Sequence, residues 1–241
     1  MGVIPLLLRL LFSGSEPTAP QILQMVDKKM FGHSDDYFRL RIKITGSSAA
    51  DQTVEVYQKI LGGKTVRLVR FLAPPDLRGM SLLVQSRDVM YVYMPGFDKV
   101  RRVGAHARAQ SISGSDFLYD DLALVSWSAD YTPTIASSSA EEWVLDLSPK
   151  PDRDPAFTRL RATVSKHCMQ FTRIEYFDFT GRKMRTHLRE FEPDKCEMKR
   201  MVMITHTSSG DHRTDGDVLV WASDKGIPDD MFTVRSLARG N

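Results

Sequence analysis

The amino-acid sequence predicts a mainly β protein built on one large antiparallel sheet. Three observations carry that reading. Apolar and polar residues alternate with period two along most of the chain, tight-turn residues separate the alternating runs, and a helical period holds over only one long stretch. At 241 residues the chain suits one large β domain, and neither a linker nor a fixed repeat divides it. A single domain is therefore expected over 18–241.

The helix comes first. Pro20 stands in its first turn, Ile22, Val26 and Met30 fall four apart, Leu23 widens the stripe, and Gly32 ends it. From Tyr37 the period is two: Phe38, Leu40, Ile42 and Ile44 share one face, and Tyr37, Arg39, Arg41 and Lys43 the other. Val54, Val56 and Ile60 alternate with Thr53, Glu55, Tyr57 and Lys59, and Gly62-Gly63 turns the chain into 64–73. After Pro74-Pro75-Asp76, a hairpin pairs 79–85 with 89–94, and Pro95-Gly96 turns into 97–103.

Between about 104 and 140 the alternation stops, and a long insertion with one or two short helices, one near 115–124, is expected. Strands resume at Glu142 with Trp143, Leu145 and Leu147, then Leu160, Ala162 and Val164, then 171–179. Thr180-Gly181-Arg182, Glu192-Pro193-Asp194-Lys195 and 208–211 turn the chain through three more strands, ending near Trp221. The total is roughly eleven strands of ordinary length.

Most of these strands have one apolar face, as when an antiparallel sheet meets water on one side. The helix at 20–31 and the insertion are the only covers for it. They are few for so much sheet, so the alternation allows either a cavity beneath them or a filled sandwich or barrel core.

Composition and motifs argue against chemistry. Lys+Arg 33 against Asp+Glu 30 is too small an excess for a nucleic-acid surface. The six histidines include no HExxH and no pair at metal spacing, and no GxSxG elbow occurs. Gly62-Gly63-Lys64-Thr65 ends like a phosphate loop, but Gln58 stands where glycine is needed and the context is a hairpin. Asp120-Asp121 reads first as a helix border and second as an acid–base pair. No catalytic residue, metal or cofactor is assigned, and an enzyme is not expected. The basic residues Arg67, Arg70, Arg101, Arg102, Arg159, Arg161, Arg182, Lys183, Arg185 and Arg189 are spread over the strands, the usual mark of solvated faces; if they converge in space, they suit acidic lipid headgroups or an acidic partner.

Cys168 and Cys196 lie at one end of an up-and-down meander, which leaves a disulfide open; two separate thiols suit a reducing compartment. Residues 1–17 read either as a degenerate or truncated export signal or as a disordered tail. The apolar run Val3 to Phe12 supports the first, although Arg9 interrupts it and no basic residue precedes it.

Four blocks stand in a distinctive order: 70–79 (RFLAPPDLRG), 90–95 (MYVYMP), 99–102 (KVRR) and 114–121 (GSDFLYDD). With the ending 227–232 (IPDDMF) and Leu237, the order resembles the LolA-like family of outer-membrane lipoprotein-sorting proteins, over about 20–239. The resemblance implies a single curved antiparallel sheet forming an incomplete β-barrel, a helical lid over an apolar cavity, and a periplasmic carrier. Its ligands would be lipoprotein acyl chains or free lipid, with transient membrane contact and an inner-membrane lipid exporter as partner.

On that basis Phe38, Leu40, Ile42, Val54, Val56, Leu145 and Leu160 are the expected cavity lining. Ile22, Val26, Met30, Phe117 and Leu118 are the expected lid residues, in a lid built from 20–31 and 104–125. The alternative is an envelope sensor or scaffolding domain that uses the same fold to bind a peptide or protein.

Overall fold

The computed structural model describes residues 16–45, 50–151 and 157–238. The signal-like segment therefore lies, through residue 15, outside the described residues. Helix α1 (Ala19–Phe31) starts at Thr18, whose backbone N–H donates to Gln21 Oε1 at 2.9 Å and so loses none of its hydrogen bonding to the turn. Lys28 and Lys29 occupy the last turn, where the helix dipole favours cations. Ile22, Leu23 and Val26 are completely buried along the apolar stripe.

Strands follow in chain order: β1 (Asp35–Thr45), β2 (Ala50–Leu61), β3 (Lys64–Ala73), β4 (Ser81–Ser86), β5 (Val89–Met94) and β6 (Lys99–Arg102). Two short helices, α2 (Tyr119–Ala123) and α3 (Trp127–Asp130), lead into β7 (Tyr131–Ser138), β8 (Glu142–Pro149), β9 (Arg159–Ser165) and β10 (Gln170–Phe177). Then come β11 (Lys183–Phe191), β12 (Met198–Thr207), β13 (Gly210–Ser223) and the closing helix α4 (Val234–Leu237). Among the described residues, thirteen strands form one antiparallel sheet in the order β6-β5-β4-β3-β2-β1-β13-β12-β11-β10-β9-β8-β7. It is curved and unclosed, with β6 and β7 as its edges.

The expected count of about eleven strands is low chiefly because β7 lies inside the stretch read as insertion. As an edge strand it is largely exposed, so it has no buried face to impose alternation, and it tolerates Pro133. The insertion proper is the segment 103–130 that joins β6 to β7.

Two meanders, β1–β6 and β7–β13, thus meet only where β1 pairs with β13, from Asp36↔Ser223 to Thr45↔Arg213. Their inner faces carry two apolar clusters. Trp143, Leu145, Leu147, Leu160, Ala162, Val164 and Phe171 pack under α1 and Trp127 of α3. Leu40, Ile42, Val54, Val69, Phe71, Leu82 and Val92 pack with Ile112 of the insertion.

The outer face of the first meander is covered as well. Ile227, Phe232 and Leu237 from the C-terminal segment pack on Val66, Leu68, Leu83 and Tyr93, which is why β3 is buried on both sides. Asp35 holds that segment in place: its carboxylate accepts from the backbone N–H of Lys225, Gly226 and Ile227 at 2.8, 2.9 and 3.0 Å. A disulfide joins Cys168, after β9, to Cys196, before β12.

Asp35 is almost wholly buried, and removing its carboxylate strands three backbone donors together with it. Asp35→Ala is expected to lower unfolding stability by about 3 kcal/mol. Urea denaturation measures this, and a change within experimental error would show that the C-terminal segment is held by its apolar contacts alone.

Candidate functional site

A cavity of about 250 Å³ lies between the two apolar clusters. A single water needs only about 10–15 Å³ on this scale, so the space is far larger than a packing defect. Phe38, Leu40, Ile42, Val54, Val56, Val69, Phe71 and Leu82 supply one wall. Met201, Met203 and Trp221 from the second meander continue that wall across the β1–β13 seam, and Met30 and Phe31 at the end of α1 also line the cavity. The Phe38 and Trp221 rings meet edge to face at 4.2 Å.

Five of the expected lining residues, Phe38, Leu40, Ile42, Val54 and Val56, lie on this wall. Leu145 and Leu160 do not. Both are fully buried beneath α1 and α3, because the helix stripe fills that half of the inner face. Ile22 and Val26 share their fate as core residues of the packed half, whereas Met30 lines the cavity. Phe117 lines it too, but Leu118 faces a separate hollow of about 30 Å³ beside α2.

The cover is the segment 103–130, fastened across the opening by polar contacts. Asp121 accepts from the Leu118 backbone N–H at 2.7 Å and from both Arg185 terminal nitrogens at 2.6 and 3.2 Å. It is thus both the border of α2 and an anchor on β11. Asp116 is anchored to β13, accepting from Thr214 Oγ1 at 2.7 Å, while its own N–H donates back to that oxygen at 2.9 Å. Asp27 of α1 accepts from the backbone N–H of Trp127 and Ser128, each at 2.8 Å, tying α1 to the start of α3. The carboxylates of Asp121 and Asp27 meet backbone donors or an arginine that burial would otherwise leave unpaired, and that of Asp116 meets the Thr214 hydroxyl and the His212 ring.

The polar lining was not legible from alternation. On β11, Arg185, His187 and Arg189 fall on one face by period two, and that face points inward. Arg67 likewise shares the inward face of β3 with Val69 and Phe71. These arginines are therefore not the solvated positions that their scatter suggested. The available signal was an arginine in phase with two core residues on β3. On β11 no such signal exists, since an all-basic face gives no hint of pointing inward.

Arg67 donates through Nε and Nη2 to Gln58 Oε1 at 3.3 and 2.7 Å, and through Nη1 to the Leu122 carbonyl of α2 at 2.7 Å. Burial, and after it the charge of Arg189, pulls its pKa down to about 10, so it remains a cation. Arg189 is surrounded by protein yet partly reached by water through the cavity, and burial depresses it also. The buried His187 imidazole lies beside the two arginines, and desolvation, then Arg189 and Arg185, hold its pKa well below the usual value.

One curved, unclosed antiparallel sheet with few helices is a LolA-like fold, and solved structures of that fold superpose on this chain. A DUF1329 family protein from Desulfovibrio piger is 21% identical with a TM-score of 0.81, matched over 90% of this chain and 97% of its own. A putative outer membrane lipoprotein-sorting protein domain from Vibrio parahaemolyticus is 19% identical with a TM-score of 0.80, over 92% and 98%. A LolA superfamily protein from Nitrosomonas europaea is 21% identical with a TM-score of 0.73, over 91% and 99%. Residues 63–239 match the model of a family described as "-like: Uncharacterized protein", and the chain belongs to that family. No curated protein matches the sequence.

The position of His187 has a measurable consequence. Its folded pKa lies below the 6.5 of an exposed histidine, so its neutral form contributes full stability above that pH. As the pH falls below 6.5 the unfolded chain gains a proton that the folded chain does not, and stability drops. In NMR titration the His187 ring signals should stay at their neutral position as the pH falls through 6.5, and His187→Gln should lose less stability on acidification. An ordinary titration near 6.5 would contradict this environment.

Proposed function

We propose that this chain is an envelope carrier that shields acyl chains in the cavity and transfers them between membranes. The observation that carries the reading is the combination of a largely apolar cavity with a cover held by a few polar anchors. Acyl burial contributes about 0.8 kcal/mol per methylene, so about ten methylenes supply roughly 8 kcal/mol, a micromolar affinity, without directed chemistry. Release then requires only that the 103–130 segment shift.

The named function of the Vibrio neighbour, lipoprotein sorting, agrees with this reading. The Cys168–Cys196 disulfide suits an oxidising compartment, here the periplasm. Lipoprotein acyl chains or free lipid are the proposed ligands, and an inner-membrane lipid exporter is the proposed donor. Contact with each membrane is transient, and no catalytic step is involved.

Protein purified from its native envelope should yield acyl lipid or acylated peptide on solvent extraction and mass spectrometry, in near-equal amount to protein. Val56→Trp, which fills the cavity from its wall, should abolish co-purifying lipid while changing stability by only about 1–3 kcal/mol. Ligand-free wild-type protein that instead retains a protein partner would contradict the carrier and favour a sensor.

A further inference from the structure

The charges inside the cavity do not balance. Among the described residues, three guanidiniums, Arg67, Arg185 and Arg189, gather at the cavity or directly beside it, and Asp121 is the carboxylate that lines it. Asp121 is already committed to Arg185 and to the Leu118 N–H. Three positive charges less one negative leave two, carried by Arg67 and Arg189.

Neither of these arginines has a carboxylate partner within ion-pair distance among the described residues. Arg67 is satisfied by neutral oxygens of Gln58 and Leu122. Arg189 has only weak acceptors at the limit of hydrogen bonding, His187 Nε2 and Met30 Sδ, both at 3.5 Å. Asp36, the other acid near Arg67, accepts from Ser223 Oγ at 2.6 Å and from Gln58 Nε2 at 3.5 Å, and it makes no ion pair with either arginine.

A buried guanidinium without a counter-ion is costly, and a purely hydrocarbon ligand would worsen the cost by expelling water from the cavity. An anionic headgroup would reverse it, because the planar fork of arginine matches carboxylate and phosphate oxygens. Resting on the carrier reading above, we infer that the ligand is an anionic amphiphile, its phosphate or carboxylate held by Arg189 and Arg67 and its hydrocarbon along the Phe38, Val54, Met201 and Trp221 walls. A neutral acyl chain fits the walls but leaves the charges uncompensated.

Isothermal titration of the full chain with dodecyl phosphate, laurate and dodecanol, and with inorganic phosphate alone, tests this directly. One or both anionic amphiphiles should bind about tenfold or more tighter than dodecanol, and the tighter of them identifies the headgroup. Arg189→Met should remove the preference of the anions over dodecanol, and dodecanol itself should bind at least as tightly as to the wild type once the uncompensated charge is gone, while Arg189→Lys keeps part of the preference. Thermal unfolding of each variant separates this from misfolding.

Equal binding of all three amphiphiles, or a preference that survives Arg189→Met in folded protein, would overturn the inference and leave a neutral-lipid carrier standing. Inorganic phosphate binding as tightly as dodecyl phosphate would make this a free-anion site and overturn it too. If dodecanol and both anions fail to bind, the carrier reading itself falls, and this inference with it.

Discussion

The pairing of β1 with β13 is the contact on which the rest of the architecture depends. It joins the first and last strands of the chain, and it alone in the sheet connects the two meanders. Because the sheet is joined there, its free edges β6 and β7 are left on the other side, and the chain between them must cross the opening. Cover and cavity both follow from that single closure. The seam is tightly packed: a methyl group on Gly216 would lie 3.1 Å from Met201 Cγ and 3.2 Å from Ile42 Cδ1, so glycine lets these cavity residues approach the strand.

The two halves use their inner faces differently. One half is filled by α1, whose buried stripe sits on β8–β10, and contributes stability. The other is bridged only by the 103–130 segment, which touches the sheet through a few polar anchors and a small apolar contact set. Hydrogen bonds to a charged group contribute about 1.5–3 kcal/mol each, enough to hold the cover and few enough to release it as a unit. Arg67 and Arg189, which have no carboxylate partner among the described residues, line the cavity that this segment covers.

Much of the fold was legible in the sequence because antiparallel strands wet on one face declare themselves by alternation, as Phe38 to Ile44 do. β7 escaped because an exposed edge strand has no inner face to mark. At the site, alternation groups Phe38, Leu40, Ile42, Val54 and Val56, which line the cavity, with Leu145 and Leu160, which α1 covers, because it cannot distinguish a filled half from an empty one. The basic face of β11 escaped for a deeper reason: period two groups residues into faces without saying which face is buried. Only the register that sets His187 beside Met203, and Arg189 beside Met201, turns that face inward.

Native-state hydrogen exchange read strand by strand tests the dependence on the seam most directly. The expected result is that amides of β1 and β13 exchange only by global unfolding, together with those of β2 and β12, while amides of 104–124 open at lower free energy without disturbing them. Separate loss of protection in β1–β6 and in β7–β13 would contradict the account, since it would mean that the two meanders stand independently and the seam does not hold the cavity together.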